Sequence, residues 1–415
     1  MGQASLVVVF AVASLVACDA RDSSEGESEL RSHQHHGNHN GHNGHHGHHG
    51  KKKKRGKKKP KHHHHHHHHH HHKYPAPDWS VEAPEQHGLS AEGLAQLATV
   101  AEQVNSSCVV VIHDGALVGE WYWGGYDAAT PVPDIMSAMK SVTSAIVGVA
   151  EGQGLLDIAD PASDYIPAWQ GTSSASVRIL EIMSQTSGRE WDFFTDLFVV
   201  TNVEDETAYA LAFGQSDVPG DHWEYSNHAT QSLEAILEVA VGEDVEDFAQ
   251  SELFEKIGMN VSMDRDSAGN PLMYRGLSAT CRDMAKFGYL YLRQGRWNDQ
   301  QVIPKAFVQE SLEASSGLND AYGYLWWRNY DGHSVLPSIP ARTEFEGKML
   351  PSASEHGFMA FGAFGQLLFV DPEEEYVVVR LSDVYDPENP FGIDQMDAVL
   401  AAFEAAKLGD GCDDD

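Results

Sequence analysis

Residues 137–140 read Ser-Ala-Met-Lys and open a stretch, residues 137–153, that is predicted to form a helix. Side chains three positions apart share one face of a helix, so the Lys140 amine can reach the Ser137 hydroxyl. A desolvated lysine can take the proton of a serine, and the helix N-terminus stabilises the negative charge that develops there. The pair predicts a nucleophilic serine, although a serine at a helix start is also a common cap.

A second polar motif, Tyr225-Ser226-Asn227, follows 85 residues after Lys140. A phenol beside an ammonium group has a lowered pKa and can relay protons. An asparagine amide can hold both a lysine and a substrate carbonyl. The motif therefore supplies Tyr225 and Asn227 as candidate partners of Lys140, although a loop tyrosine followed by an asparagine helix cap gives the same letters.

The order and spacing of these motifs resemble those of the serine hydrolases related to class C β-lactamases. That superfamily includes D-alanyl-D-alanine carboxypeptidases, family VIII-type esterases and 6-aminohexanoate-dimer hydrolases. The resemblance implies a β-lactamase/transpeptidase-like fold in which Ser137, Lys140 and Tyr225 are catalytic. It covers roughly residues 80–407 and includes four further segments, Ile182–Gly188 (IMSQTSG), Leu253–Met259 (LFEKIGM), Ser278–Gly288 (SATCRDMAKFG) and Tyr322–Trp327 (YGYLWW).

The distribution of strand and helix patterns independently predicts an α+β fold. Strand patterns lie at both ends of the body and helical patterns between them, which indicates one antiparallel sheet built from both termini, helices on its faces and an inserted helical lobe. The predicted elements are a helix at Ser90–Val104, a hairpin at 108–124 around His113-Asp114-Gly115, a mainly helical middle at 175–300, a hairpin formed by 364–370 and 375–383, and a last helix at 394–407.

The third motif of the superfamily is where this chain departs from the pattern. β-Lactamases carry Lys-Thr-Gly there and the peptidases His-x-Gly, whereas this chain reads Ala360-Phe361-Gly362. Gly362 would let a strand pass close to the acyl group, and the N–H of Ala363 would form an oxyanion hole with that of Ser137. Without a cation at the first position, a substrate carboxylate lacks its usual partner. The motif therefore favours an esterase or amide hydrolase over a β-lactamase.

Three aromatic residues near these motifs, Trp191, Trp223 and Phe364, are predicted to shape the acyl pocket, although each could be ordinary core. His356 is an alternative first residue of the third motif, but its spacing to Asp371 fits less well. The other histidines of the body are interpreted as structural or surface residues. Since the body has no His-Glu-x-x-His or similar ligand set, neither a metal nor another cofactor is predicted for catalysis.

The charge of the body excludes nucleic acid as a partner. The chain has 28 basic and 61 acidic side chains, and residues 74–415 alone hold 16 and 56, a net charge of −40. A surface this acidic repels a phosphate backbone. Dense acidity with few lysines also suits a saline environment.

The N-terminal segments predict export and a lipid anchor. Residues 1–17 contain an apolar run, too short to span a bilayer, that is typical of a signal peptide. It ends in Leu-Val-Ala-Cys, which resembles the lipobox of bacterial lipoproteins and implies cleavage before Cys18 and lipidation of its thiol. A cleaved signal with a chance cysteine is the alternative, since the start of the chain lacks Lys and Arg. We expect a cell-envelope lipoprotein that contacts the membrane through this anchor.

Residues 18–73 are predicted to be a disordered tether, because they have no apolar periodicity from which a core could form. The tether contains a lysine-rich block and, at 62–72, eleven consecutive histidines. The histidines can capture a divalent metal adventitiously, and the lysines can bind anionic lipid head groups. The hydrolase body is assigned to residues 74–415. If Cys18 is acylated, three cysteines remain, and their pairing cannot be deduced.

The sequence as a whole predicts a membrane-tethered serine hydrolase that cleaves a small-molecule ester or amide, or a peptide-like substrate, through an acyl-enzyme on Ser137. Lys140 and Tyr225 act as base and acid. The alternatives are a β-lactamase or D-alanyl-D-alanine carboxypeptidase, a non-catalytic sensor of wall fragments, and a metal-scavenging lipoprotein whose body is incidental.

Replacing Cys18 tests the predicted anchor. We expect Cys18→Ser to move the protein from the membrane fraction to the soluble exported fraction, because several acyl chains on one residue are needed for stable anchoring. Fractionation of cells fed a labelled fatty acid would measure both location and lipidation. A variant that stays in the membrane fraction would refute the anchor.

Overall fold

The computed structural model describes residues 72–338, 341–384 and 392–408. The predicted signal sequence, Cys18, Cys412 and all but the last two residues of the tether lie outside these ranges. No helix within the described ranges is long and apolar enough to cross a membrane.

The strands of the described chain form one seven-stranded sheet and three two-stranded pairs. In chain order they are β1 (Ser80–Val81), β2 (Cys108–His113), β3 (Ala116–Tyr122), β4 (Ser262–Met263), β5 (Leu277–Ser278), β6 (Arg296–Trp297), β7 (Gln300–Gln301), β8 (Trp327–Arg328), β9 (Gly332–Leu336), β10 (Thr343–Gly347), β11 (Phe358–Gly362), β12 (Gln366–Asp371) and β13 (Tyr376–Leu381). The main sheet has the order β1-β3-β2-β13-β12-β11-β8.

The helices lie mainly between the two groups of long strands. They are α1 (Ala91–Gln103), α2 (Met139–Gly152), α3 (Ile179–Met183), α4 (Glu206–Leu211), α5 (Asn227–Val241), α6 (Val245–Ala249), α7 (Glu255–Ile257), α8 (Cys281–Leu292), α9 (Lys305–Ser311) and α10 (Ile393–Glu404). Two short turns concern the site: a 3₁₀ turn at Met136–Ala138 and a π-helical turn at Thr195–Val199.

Both predicted hairpins are present, and they join to make the centre of the sheet. β2 pairs antiparallel with β3 around a turn in which Asp114 and Gly115 have positive φ, as a tight hairpin turn requires. β12 pairs antiparallel with β13, and β13 pairs with β2 from Leu381 opposite Cys108 to Tyr376 opposite His113. The sheet is therefore built from both ends of the body, as predicted.

One edge of the sheet differs from the antiparallel prediction, because β1 pairs parallel with β3. The chain between them includes α1 and β2, and a connection of this length lets two strands run in the same direction. The sheet is thus mixed.

Both faces of the sheet are covered, which explains why its central strands are mostly apolar along their whole length. Alternate residues of β2 enter opposite cores: Val110 and Ile112 pack with α2 and α8, whereas Val109 and Val111 pack with α1 and α10. A sheet buried on both faces favours runs of Val, Ile and Leu over an apolar–polar alternation. The helix α1 fits this arrangement, since Ser90 caps it by accepting a hydrogen bond from Gly93 N and its buried residues follow the helical period.

A disulfide links Cys108, the first residue of β2, to Cys281, the first residue of α8, with a Cα–Cα distance of 6.2 Å. The sequence left the pairing of the cysteines open. The bond ties the helix on one face directly to the central hairpin.

A buried arginine on β13 holds the turn that follows β11. Arg380 is fully buried and donates hydrogen bonds to the carbonyls of Phe364 and Gly365, each at 2.8 Å. It also donates to Ser106 Oγ and to the carbonyl of Val104. One side chain therefore fixes the turn that follows the third motif against the loop that precedes β2.

Removing the Arg380 head group should destabilise the fold. Each hydrogen bond from a charged donor contributes about 1.5–3 kcal/mol, and its loss would leave buried carbonyls without a donor. We expect Arg380→Met to lower the free energy of unfolding by more than about 3 kcal/mol, whereas the exposed control Arg296→Met should change it by less than about 0.5 kcal/mol. Urea unfolding measures both, and equal changes would contradict the assignment.

Candidate active site

The nucleophile candidate lies in a strained turn before α2. Ser137 is the middle residue of the 3₁₀ turn, and Met136 has a φ of 51° in the left-handed region. That conformation costs about 1–2 kcal/mol in a residue with a side chain. Asp134 offsets it by accepting hydrogen bonds from Met136 N at 2.6 Å and Gly276 N at 2.7 Å. Ser137 is not the cap of the helix, because the N-cap position of α2 is Ala138.

The Lys140 side chain is 1% exposed and points from the first turn of α2 to the serine. Its Nζ lies 3.0 Å from Ser137 Oγ, 2.7 Å from Asn227 Oδ1 and 3.4 Å from the carbonyl of Tyr274. The amine is therefore held between the candidate nucleophile and the asparagine of the second motif.

Burial lowers the pKa of Lys140 to about 7, while the negative charges of Asp196 and Asp134 act in the opposite direction. A buried ammonium group loses its hydration, and the groups in contact with this one are a hydroxyl, an amide oxygen and a main-chain carbonyl. A large fraction of the amine is therefore neutral near pH 7 and can accept a proton from Ser137.

Tyr225 completes the contacts of Ser137, but its acid–base behaviour differs from the sequence prediction. Its ring stacks on Trp327 and lies 4.6 Å from Lys140 Nζ, and the Ser137 side chain is close enough to act on the pKa of its phenol. Burial raises the pKa of Tyr225, whereas a neighbouring ammonium group was expected to lower it. The expectation was wrong because burial of the phenol itself disfavours the charged phenolate, and this effect outweighs the others. The phenol keeps its proton and can serve as a donor.

Asn227 begins α5, which Ser226 caps by accepting a hydrogen bond from Ala229 N. Sequence reasoning missed the group behind it, Asp196, whose carboxylate accepts from Asn227 N at 3.0 Å and contacts His228 Nδ1 at 2.6 Å. His228 was interpreted only as a structural or surface residue, and it is fully buried. An acid within the aromatic segment WDFFTDLFVV was the one signal in the sequence that could have indicated a buried carboxylate.

The third motif reaches the serine through Gly362. A Cβ atom on this residue would lie 2.5 Å from the carbonyl oxygen of Ile135 and 3.0 Å from Ala138 N, so only glycine lets β11 pass this close to the nucleophile turn. Ala363 follows at once and is exposed. His356 precedes the other end of β11 and pairs with Glu373 at 3.4 Å. It is therefore Gly362, and not His356, that adjoins Ser137.

The three predicted pocket aromatics have different surroundings. Phe364 lies in the turn after Ala363, half-buried, with its carbonyl bound by Arg380. Trp191 lines a cavity of about 100 Å³ together with Arg189 and Glu224, and the contacts described for Ser137 do not include it. Trp223, the third, lies beside Tyr225, and Tyr322 and Trp327 are the other aromatic residues around that phenol.

One group among the described residues could hold a metal ion. His72, Asp114 and Glu375 each offer a ligand atom within 4.8 Å of the others. Both Glu375 oxygens already accept hydrogen bonds from Arg293, at 2.8 and 3.0 Å. Asp114 lies in the β2–β3 turn and Glu375 in the β12–β13 turn, whereas Gly362 pairs with the opposite end of β12. The group therefore takes no part in the contacts of Ser137.

Comparison with known proteins identifies the family. Residues 91–403 match the Beta-lactamase family, so the chain belongs to it and is a hydrolase of that family. It is 22% identical to the 6-aminohexanoate-dimer hydrolase of Paenarthrobacter ureafaciens over 321 residues, 72% of this chain and 78% of the relative. Its fold resembles that of a Bacillus anthracis protein assigned as a 6-aminohexanoate-dimer hydrolase, with a TM-score of 0.63 and 20% identity over 80% of this chain and 89% of that one. It also resembles a class C β-lactamase, with a TM-score of 0.58 and 16% identity over 76% of this chain and 97% of that one.

The lowered pKa of Lys140 predicts the pH dependence of turnover. The amine accepts a proton only when neutral, so kcat/KM should rise with pH through about 7 and level off above it. Lys140→Arg keeps its charge throughout this range and should be at least about 1,000-fold less active. Initial rates between pH 5 and 9 measure both, and a rate that falls as pH rises through 7 would contradict this role.

Proposed function

We propose that this chain is a serine hydrolase that cleaves a carboxylic ester or amide through an acyl-enzyme on Ser137. The observation that carries the proposal is the 3.0 Å contact between Ser137 Oγ and the buried Lys140 Nζ. A largely neutral amine at hydrogen-bond distance is what a serine needs to become a nucleophile near neutral pH.

Acylation begins when Ser137 Oγ attacks the substrate carbonyl carbon and its proton passes to Lys140 Nζ. The carbonyl π electrons move to the oxygen, which becomes an oxyanion. We assign its stabilisation to the N–H groups of Ser137 and Ala363, since the approach of Gly362 brings the two segments together. Asn227 keeps the amine in place through its Oδ1 atom.

Collapse of the tetrahedral intermediate breaks the bond to the leaving group, which takes a proton from the Tyr225 hydroxyl. The Lys140 ammonium returns that proton to the phenolate, so the pair is restored while the acyl group stays on Ser137. Water then attacks the acyl-enzyme, gives one proton to Lys140, and releases the carboxylic acid as the Ser137 oxygen is protonated again. Because burial raises the pKa of Tyr225, the phenol carries its proton, and can donate it, when the leaving group departs.

The composition of the third motif supports a neutral ester or amide as substrate. Ala360 is buried and Phe361 half-buried, so the position that carries a cation in β-lactamases offers apolar surface. A relative that carries the name of an amide hydrolase, the 6-aminohexanoate-dimer hydrolase, is consistent with this class. Hydrolysis of β-lactams is the main alternative, and it requires a partner for the substrate carboxylate elsewhere in the site.

We further propose that the enzyme works at the cell envelope, held through Cys18, because a signal-like run and a lipobox-like cysteine precede the tether. The histidines of the tether are assigned no catalytic role.

Covalent labelling tests the nucleophile. A fluorescent phosphonate should label the wild-type protein, and Ser137→Ala should abolish the labelling because the attacking oxygen is gone. Ser144→Ala is a matched control, a buried serine on the same helix, and it should be labelled like the wild type. Mass spectrometry of the labelled peptide locates the adduct, and an adduct on any residue other than Ser137 would sink the assignment.

Substrate charge tests the third motif. A charge-assisted hydrogen bond contributes about 1.5–3 kcal/mol, so its absence should reduce kcat/KM for the anionic β-lactam nitrocefin by roughly 10–150-fold relative to an enzyme that has it. We expect a neutral p-nitrophenyl ester to be turned over faster than nitrocefin. The gap should narrow in concentrated salt, which screens the negative field of the body. Faster turnover of nitrocefin at every salt concentration would refute this substrate class.

A further inference from the structure

We propose that Asp196 is a positioning residue for this reaction: it fixes Asn227, and through Asn227 the amine of Lys140, in the arrangement that activates Ser137. The inference rests on the proposed function, because it takes Lys140 as the base. Asp196 lies in the π-helical turn Thr195–Val199, outside every motif that the sequence singles out.

The contacts of Asp196 determine which end of the Asn227 amide faces the lysine. The main-chain carbonyl of Asp196 accepts from Asn227 Nδ2 at 3.4 Å, and its carboxylate accepts from Asn227 N at 3.0 Å. With the amide NH₂ directed to Asp196, the amide oxygen is left to accept from Lys140 Nζ at 2.7 Å. A rotated amide would present its NH₂ group to the amine, and the contact that holds Lys140 would be lost.

His228 holds the carboxylate itself. The ring atom Nδ1 of His228 lies 2.6 Å from Asp196 Oδ1, and the main-chain N–H of His228 donates to the same oxygen at 3.0 Å. The imidazole ring stacks on Phe213, with the ring centroids 3.9 Å apart. Burial alone would raise the pKa of Asp196, but the hydrogen bonds and charge of His228 and the amide of Asn227 keep it lowered. Asp196 is therefore an anion at neutral pH, fixed from two sides.

The negative charge of Asp196 also acts on the amine. Several titratable or charged groups surround Lys140. Two are carboxylates, Asp134 before the nucleophile turn and Asp196 in the π-helical turn. The others are the phenols of Tyr225 and Tyr274, together with Glu206 and Arg275, which bind the Tyr274 hydroxyl. Asp196 and Asp134 both favour the charged amine, against its burial. Removing the Asp196 charge should leave Lys140 harder to protonate.

Direct titration of Lys140 tests the inference without turnover. In protein labelled with ¹³C at the lysine ε-carbon, the Lys140 signal is the one missing from Lys140→Arg. We expect Asp196→Asn to lower its titration midpoint by about 0.5–1 pH unit, since an opposite charge near an amine raises its pKa. On a p-nitrophenyl ester, kcat should fall at least about 10-fold with KM nearly unchanged.

The direction of the shift separates this role from a structural one. If Asp196 only supported the fold, its loss would admit water to Lys140 and move the midpoint upward, toward the ordinary lysine value. A midpoint that rises or does not move would overturn the proposal. The matched control is Asp192→Asn, an exposed carboxylate on the same segment, which should leave the midpoint unchanged. Asp196→Ser, which keeps an oxygen acceptor without a charge, serves if the asparagine variant does not fold.

The proposed function has its own readout in the same experiment. If the phosphonate probe does not acylate Ser137 in the wild type, the serine hydrolase assignment fails, whatever the NMR midpoint. If acylation occurs and the midpoint does not fall in Asp196→Asn, the role of Asp196 fails alone.

Discussion

The active site depends on the amine of Lys140, which is kept out of water and has only uncharged groups in contact with it. Lys140 Nζ touches a hydroxyl, an amide oxygen and a main-chain carbonyl. In water the same amine would be charged and unable to take a proton from a serine. Every surrounding element contributes to this burial: α2 supplies the side chain, α5 the asparagine, and the stacked aromatic rings around Tyr225 exclude solvent. The chemistry is thus a property of packing as much as of the residues that react.

The covered sheet is the frame that brings these parts together. β11 runs along one edge of the hairpin pair and ends at Gly362, against the backbone of the nucleophile turn. Arg380 on β13 holds the turn beyond, and the disulfide joins α8 to the start of β2. Because these elements are locked to the sheet on both faces, the position of Ala363 relative to Ser137 is determined by the core and not by a free loop.

The sequence predicted those parts of the molecule whose signal is local. The hairpins at Asp114 and at Asp371, the capped helix after Ser90, and the reach of Lys140 to Ser137 follow from turn chemistry, capping and helical spacing. The pKa of Tyr225 and the pairing of Asp196 with His228 could not be read in this way. They depend on burial and on contacts between segments about 30 residues apart, which a linear pattern does not reveal. The parallel pairing of β1 was missed for the same reason.

The central position of β13 has a consequence for the order in which the molecule can be assembled. β13 lies between β2 and β12, yet it is the last of the seven strands of this sheet in chain order. Until residues 376–381 have left the ribosome, the β2–β3 hairpin has no partner on its inner edge, and neither core layer can close. A sheet that pairs strands so far apart in the sequence folds slowly. The first hairpin of the body must therefore wait, without a closed core on either face, until the strand that joins it to β12 has been made.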